Sequence, residues 1–148
     1  MSDYQHILVP VDDSPVAYAV IEHARALAAA FSAQVTLFSV VAVDPFFGVD
    51  FYKVAPAITD YFMQAEKNAQ LRLEDLRQGF DHDGIQVHSK ILHGMTPAEG
   101  ILKVIQEEDI DLIMMGSHQR SGFQQMFLGS VAQHVLTLAE VPVFIIKG

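Results

Sequence analysis

At 148 residues the chain is long enough to bury a substantial core without covalent staples, and residues 1–148 read as a single domain. It contains no cysteine, which excludes a disulfide framework and thiol chemistry and fits an intracellular compartment. Eighteen Asp and Glu against nine Lys and Arg give a formal net charge of −9, which argues against nucleic acid as a partner, because phosphate backbones are bound by clustered cations.

His6-Ile7-Leu8-Val9-Pro10-Val11 is a short apolar run, and apolarity on both faces predicts a buried parallel strand. Asp12-Asp13-Ser14-Pro15 stops it, with Ser14 suited to an N-cap and Pro15 to the first helical position. Ala17, Val20, Ile21, Ala24, Leu27, Ala28 and Phe31 then recur at helical spacing along one face. Gln34 to Val43 is a second β-rich run that completes a βαβ unit with a right-handed crossover. An uncharged stretch from Ala26 to Val43 is broken by Ser32, Gln34, Thr36 and Ser39, so it reads as a helix end and a buried strand, not as a membrane span of about twenty apolar residues.

Four aromatics, Phe46, Phe47, Phe51 and Tyr52, follow in a loop that either packs over the sheet edge or forms a lid or partner surface. Ile58, Phe62, Ala65, Ala69, Leu73 and Leu76 mark a long helix from Ile58 to about Gly79. Ile85 to His93 alternates and predicts a third, more exposed strand. Thr96-Pro97-Ala98-Glu99 is a capping box, after which Ile101, Leu102 and Ile105 supply a buried helix face. Leu112 to Met115 is a fourth strand, Ser130 to Ala139 a last helix, and Val141 to Ile146 a fifth strand. This alternation predicts a parallel α/β sheet covered on both faces, a three-layer sandwich.

Leu112 to Ala139 lacks Asp and Glu throughout, so an anion is tolerated there. In an open parallel sheet, ligands sit beyond the strands' carboxyl ends where strand order reverses, and the fourth strand delivers Gly116 to such an edge. Ser130 can cap the last helix, leaving the amides of Ser130, Val131 and Ala132 directed outward, an arrangement that suits phosphate. The plainer reading of Gly129-Ser130 is a turn and a cap.

Gly116-Ser117-His118-Gln119, nine residues and then Gly129-Ser130 resemble the nucleotide-binding signature Gly-x-x-Gly-x9-Gly-Ser/Thr of the universal stress protein family. The resemblance extends to Ile7-Leu8-Val9-Pro10-Val11-Asp12, the Gly94 to Pro97 turn, Leu128 to Val131 and the closing Val141 to Ile146. It implies a Rossmann-like sheet of order 3-2-1-4-5, similar to the adenine nucleotide alpha hydrolases, frequent homodimers, and ATP held without marked turnover. By position, the resemblance implies that Pro10, Val11 and Asp12 lie near adenine and ribose, with Val40 or Val41 on the base. Met115, Gly116 and His118 would border ribose and phosphates, and Gly129, Ser130 and Val131 would hold the phosphate tail. Gln119 stands where the family has its second glycine, so Gln119 or Arg120 would donate to the phosphates in its place. Asp13 replaces a common glycine, and the Gly94 to Pro97 turn is one residue longer than usual.

Paired Asp12-Asp13 also invites a Mg²⁺-binding receiver domain, but the third strand ends in Leu92-His93 where that fold needs an acceptor Asp, and Lys147 has no helix after it. The histidines show no zinc spacing, and no Ser-His-acid triad can be assembled, so the expectation is binding, not catalysis. Val141 to Ile146 contains Pro142, a residue tolerated at sheet edges, which a second subunit could cover. The N-terminus carries Asp3 and no basic region, so no signal peptide is expected. The sequence therefore predicts a cytoplasmic, homodimeric ATP-binding regulator, with or without Mg²⁺, that acts on a protein partner without inserting into membranes. Its alternatives are an interaction module that has lost nucleotide binding, or a slow ATPase or autophosphorylating protein using Ser117 or Ser130.

Overall fold

The computed structural model describes residues 4–41, 56–80, 84–117 and 129–147. In chain order these form β1 (His6–Pro10), α1 (Val16–Phe31), β2 (Gln34–Val41), α2 (Pro56–Arg77), a 3-10 turn (Gln78–Phe80), β3 (Val87–His93), α3 (Pro97–Glu107), β4 (Leu112–Ser117), α4 (Ser130–Leu138) and β5 (Val143–Lys147). The five strands are parallel, as their alternation with helices predicts, and lie in the order β3-β2-β1-β4-β5 that the family resemblance implies. Among the described residues no helix is long and apolar enough to cross a membrane. The aromatic segment Phe46 to Tyr52 lies outside the described residues.

β1 explains the layering. Ile7, Leu8 and Val9 are all fully buried, and their side chains alternate between faces. Ile7 and Val9 join a core with Val20, Ile21 and Ala24 of α1 and Leu73 and Leu76 of α2. Leu8 joins a second core with Ile101 and Val104 of α3 and Ala132 and Val135 of α4. β3 and β5, at the sheet edges, contain no fully buried residue, so the expected exposure of β3 is observed.

Several boundaries move for physical reasons. Ser14 does not cap α1; Pro15 is the N-cap with helical dihedrals, and the Ser14 amide donates to Asp12 Oδ1 at 2.8 Å, an Asx-type turn out of β1. Likewise Ser130 is already helical, and the N-cap is Gly129, extended at φ −60° and ψ 157°. β5 begins at Val143 because Pro142 has no N–H for the ladder, although its carbonyl accepts from Ile113 N at 3.0 Å. α2 starts at Pro56, earlier than its apolar spacing suggested, and ends at Arg77. On α3 the buried face is Ala98, Gly100, Ile101 and Val104, whereas Leu102 and Ile105 are half-buried. Its capping box is complete, with Thr96 Oγ1 accepting from Glu99 N and Glu99 Oε2 from Thr96 N.

At the amino ends of the strands, polar groups close the sheet. Asp111 accepts from the amides of Gln5 (2.8 Å) and His6 (3.1 Å), extending the short β1–β4 ladder. The His6 ring is buried between the Glu108 carbonyl (3.0 Å from Nδ1) and Thr36 Oγ1 (2.7 Å from Nε2). A carbonyl only accepts, so Nδ1 carries the proton, and in the neutral ring Nε2 accepts from the Thr36 hydroxyl.

Thr36→Val keeps the shape but leaves Nε2 without a donor, and urea unfolding should show a loss of about 1–3 kcal/mol. A Cβ on Gly100 would lie 2.7 Å from Val40 Cγ2 and 2.8 Å from Phe38 Cζ. Gly100→Ala should therefore destabilise by about 1–3 kcal/mol, reversing the gain of up to about 1 kcal/mol that glycine to alanine gives in an open helix; a more stable variant would show that α3 packs less closely than described.

Candidate functional site

The order of strands reverses between β1 and β4, where α1 and α4 leave the sheet on opposite faces. A cleft of about 820 Å³ opens there, beyond the carboxyl ends of β1, β2 and β4. Ten residues singled out from sequence line it: Pro10, Val11 and Asp12 after β1, Val40 and Val41 ending β2, Met115 and Gly116 in β4, and Gly129, Ser130 and Val131 at the start of α4. His118, Gln119 and Arg120 lie outside the described residues.

On the α3–α4 side of the sheet the lining is apolar, with Val40, Met115, Pro97 and Ile101, and Val41 adds an apolar side chain on the opposite face. Across from it in character is the beginning of α4. Gly129 provides no side chain to cap the helix, its first turn contains no acid, and the first helical bond runs from Gln133 N to Gly129 O at 3.0 Å. The amides of Ser130, Val131 and Ala132 precede that bond, so the positive end of the helix dipole borders the cleft.

Gly116, which lines the cleft, also has a structural role. A Cβ there would sit 2.4 Å from Val16 Cγ1, so the missing side chain lets the first turn of α1 rest against β4. The backbone turn into α3 uses Gly94, at φ +74°, whose amide donates to the Val41 carbonyl at 3.2 Å and so fixes the end of β2 beside the cleft.

The sequence reading missed the contribution of α2. Tyr61, Ala65, Asn68, Ala69 and Arg72 all line the cleft at helical spacing, next to the core stripe that ends in Leu73 and Leu76. Length held the signal: 22 residues of helix extend ~33 Å, against ~17 Å for the five residues of β1, so α2 overhangs the sheet. α2 is tied to α1 by the Tyr18 hydroxyl, which donates to Asp75 Oδ2 at 2.8 Å. That hydrogen bond, and then the carboxylate's charge, hold the phenol above its ordinary value of 10.0. His93 Nε2 lies 2.9 Å from Glu66 Oε1 and ties α2 to the end of β3.

The model of the universal stress protein family matches residues 3–147. Universal stress protein MJ0531 of Methanocaldococcus jannaschii is 31% identical over 147 residues, which is 97% of this chain and 82% of that protein. The structure of MJ0577 from the same organism superposes with a TM-score of 0.82 at 26% identity, covering 99% of this chain and 98% of that one. A universal stress protein of Archaeoglobus fulgidus, solved in complex with dAMP, shares the fold at 22% identity and a TM-score of 0.65, covering 99% and 100% of the two chains.

Replacing Gly116 by alanine should push the start of α1 off β4 and cost about 1–3 kcal/mol in denaturant unfolding. An unchanged midpoint would mean that Val16 gives way freely.

Proposed function

The chain belongs to the universal stress protein family, and from that premise we propose that it binds ATP or another adenine nucleotide in this cleft and holds it without marked turnover. The carrying observation is the pairing, within one cleft, of an apolar wall suited to a planar base with an uncapped helix N-terminus suited to phosphate. A cleft of about 820 Å³ is within the usual range of roughly 300–1,000 Å³ for small-molecule sites. In this reading Val40 or Val41 packs on the base, the backbone at Pro10 and Val11 borders it, and Met115 borders the ribose. The Asp12 carboxylate accepts from ribose hydroxyls, and Gly116 backs the sugar. Gly129, Ser130 and Val131 meet the phosphates, joined by His118, Gln119 and Arg120, and Mg²⁺ accompanies those phosphates when the nucleotide carries it. The A. fulgidus protein's dAMP makes monophosphates worth testing beside ATP.

Nucleotide occupancy would then set the protein's contacts with a regulatory partner in the cytoplasm. We read β5 as the homodimer edge: it is the last strand of the sheet, and Phe144 is 42% exposed on it.

Heat or acid release of the purified protein, followed by mass spectrometry, should yield an adenine nucleotide, and calorimetry with Mg²⁺ should show ATP binding. Absence of both would leave an interaction module in place of a nucleotide binder. Gly129→Asp supplies both a cap and a carboxylate at the helix end, so it should keep or raise stability by about 0.5 kcal/mol while lowering ATP affinity at least about tenfold. Unaltered affinity would place the phosphates elsewhere.

A further inference from the structure

Arg72 is half-buried on α2 and is the only cation among the described residues lining the cleft, whose other charges are Asp12 and Asp13. A guanidinium is always charged and has five N–H donors in a planar fork. Among the described residues it makes no hydrogen bond and no ion pair. Its neighbours on the helix are engaged in other contacts. Glu74 pairs with Arg77 at 3.7 Å, and Asp75, three residues on and well spaced for Arg72, instead accepts from Tyr18 at 2.8 Å. That Tyr18 bond lies one helical turn from Arg72 and holds α2 against α1, so the guanidinium is presented from an anchored helix. A partly desolvated charge with no partner is a cost to the fold, and a bound anion removes it.

We infer that Arg72 is a recognition residue for the anionic, phosphate-bearing part of the ligand, reaching the cleft from the α1–α2 face of the sheet while the start of α4 reaches it from the other face. The inference rests on the nucleotide reading above and adds a discrimination to it: phosphorylated nucleosides are preferred to free nucleosides, because the charge is met from both layers. Arginine suits this role because its fork donates two parallel hydrogen bonds to phosphate oxygens, which a lysine at the same position cannot reproduce.

The test is calorimetric titration of the full chain and its Arg72→Gln and Arg72→Lys variants with ATP, adenosine and inorganic tripolyphosphate. Arg72→Gln should weaken ATP and tripolyphosphate by roughly 10- to 100-fold and leave adenosine unchanged, with Arg72→Lys in between. Thermal unfolding without ligand should show no loss of stability in Arg72→Gln, since among the described residues the guanidinium makes no hydrogen bond or ion pair that the fold would forfeit. Equal losses for adenosine and ATP, or wild-type ATP affinity in Arg72→Gln, would overturn the assignment. If the wild type binds tripolyphosphate through Arg72 but no nucleotide, the nucleotide reading fails and the anion role of Arg72 stands; a wild type that binds neither overturns both.

Discussion

A parallel sheet whose central strand is apolar on both faces must be covered on both faces, and the placement of every other element follows from that requirement. Ile7, Leu8 and Val9 cannot be shielded by one layer. α1 and α2 cover one side, and α3 and α4 the other. Because the segments that follow β1 and β4 depart to different sides, nothing in the described chain fills the space above the junction of those two strands. The cleft is thus the geometric remainder of covering the core, and the residues at its rim were placed there by strand register.

The two ends of the sheet divide the work. At the amino ends, His6, Thr36 and Asp111 satisfy one another or nearby backbone, and Lys90 offsets Glu107 and Glu108 at the carboxyl end of α3, where acids oppose the helix dipole. At the carboxyl ends, α4 begins without a side-chain cap, and among the described residues the Arg72 guanidinium makes no hydrogen bond or ion pair. One end uses its polar groups in the fold, and the other borders the cleft.

The strands and helices were legible in the sequence because they depend on local alternation, and the sheet order came with the family resemblance that a motif of fixed spacing carries. The Thr96 capping box of α3 was legible too, but the caps of α1 and α4 were not, since Ser14 and Ser130 have the right chemistry for caps and only the backbone dihedrals at Pro15 and Gly129 decide the matter. Gly116 was singled out for its motif position, and the approach of Val16 that its missing side chain permits is a tertiary contact that no local pattern encodes. Arg72 was passed over because a polar residue beside an apolar helical stripe ordinarily faces water. Only the overhang of α2 beyond the strands turns that position toward the cleft.

The junction of β1 with β4 also has a topological consequence. It joins segments far apart in the chain, as the 105-residue separation of His6 and Asp111 shows, whereas β1, β2 and β3 pair in sequence order. Such long-range pairing carries the largest loop-closure cost in the sheet. A molecule seated across Val11 and Gly116 bridges the two halves at that seam, so its binding energy adds to the one contact that chain entropy opposes most, and by mass action it stabilises only the state in which the halves are joined.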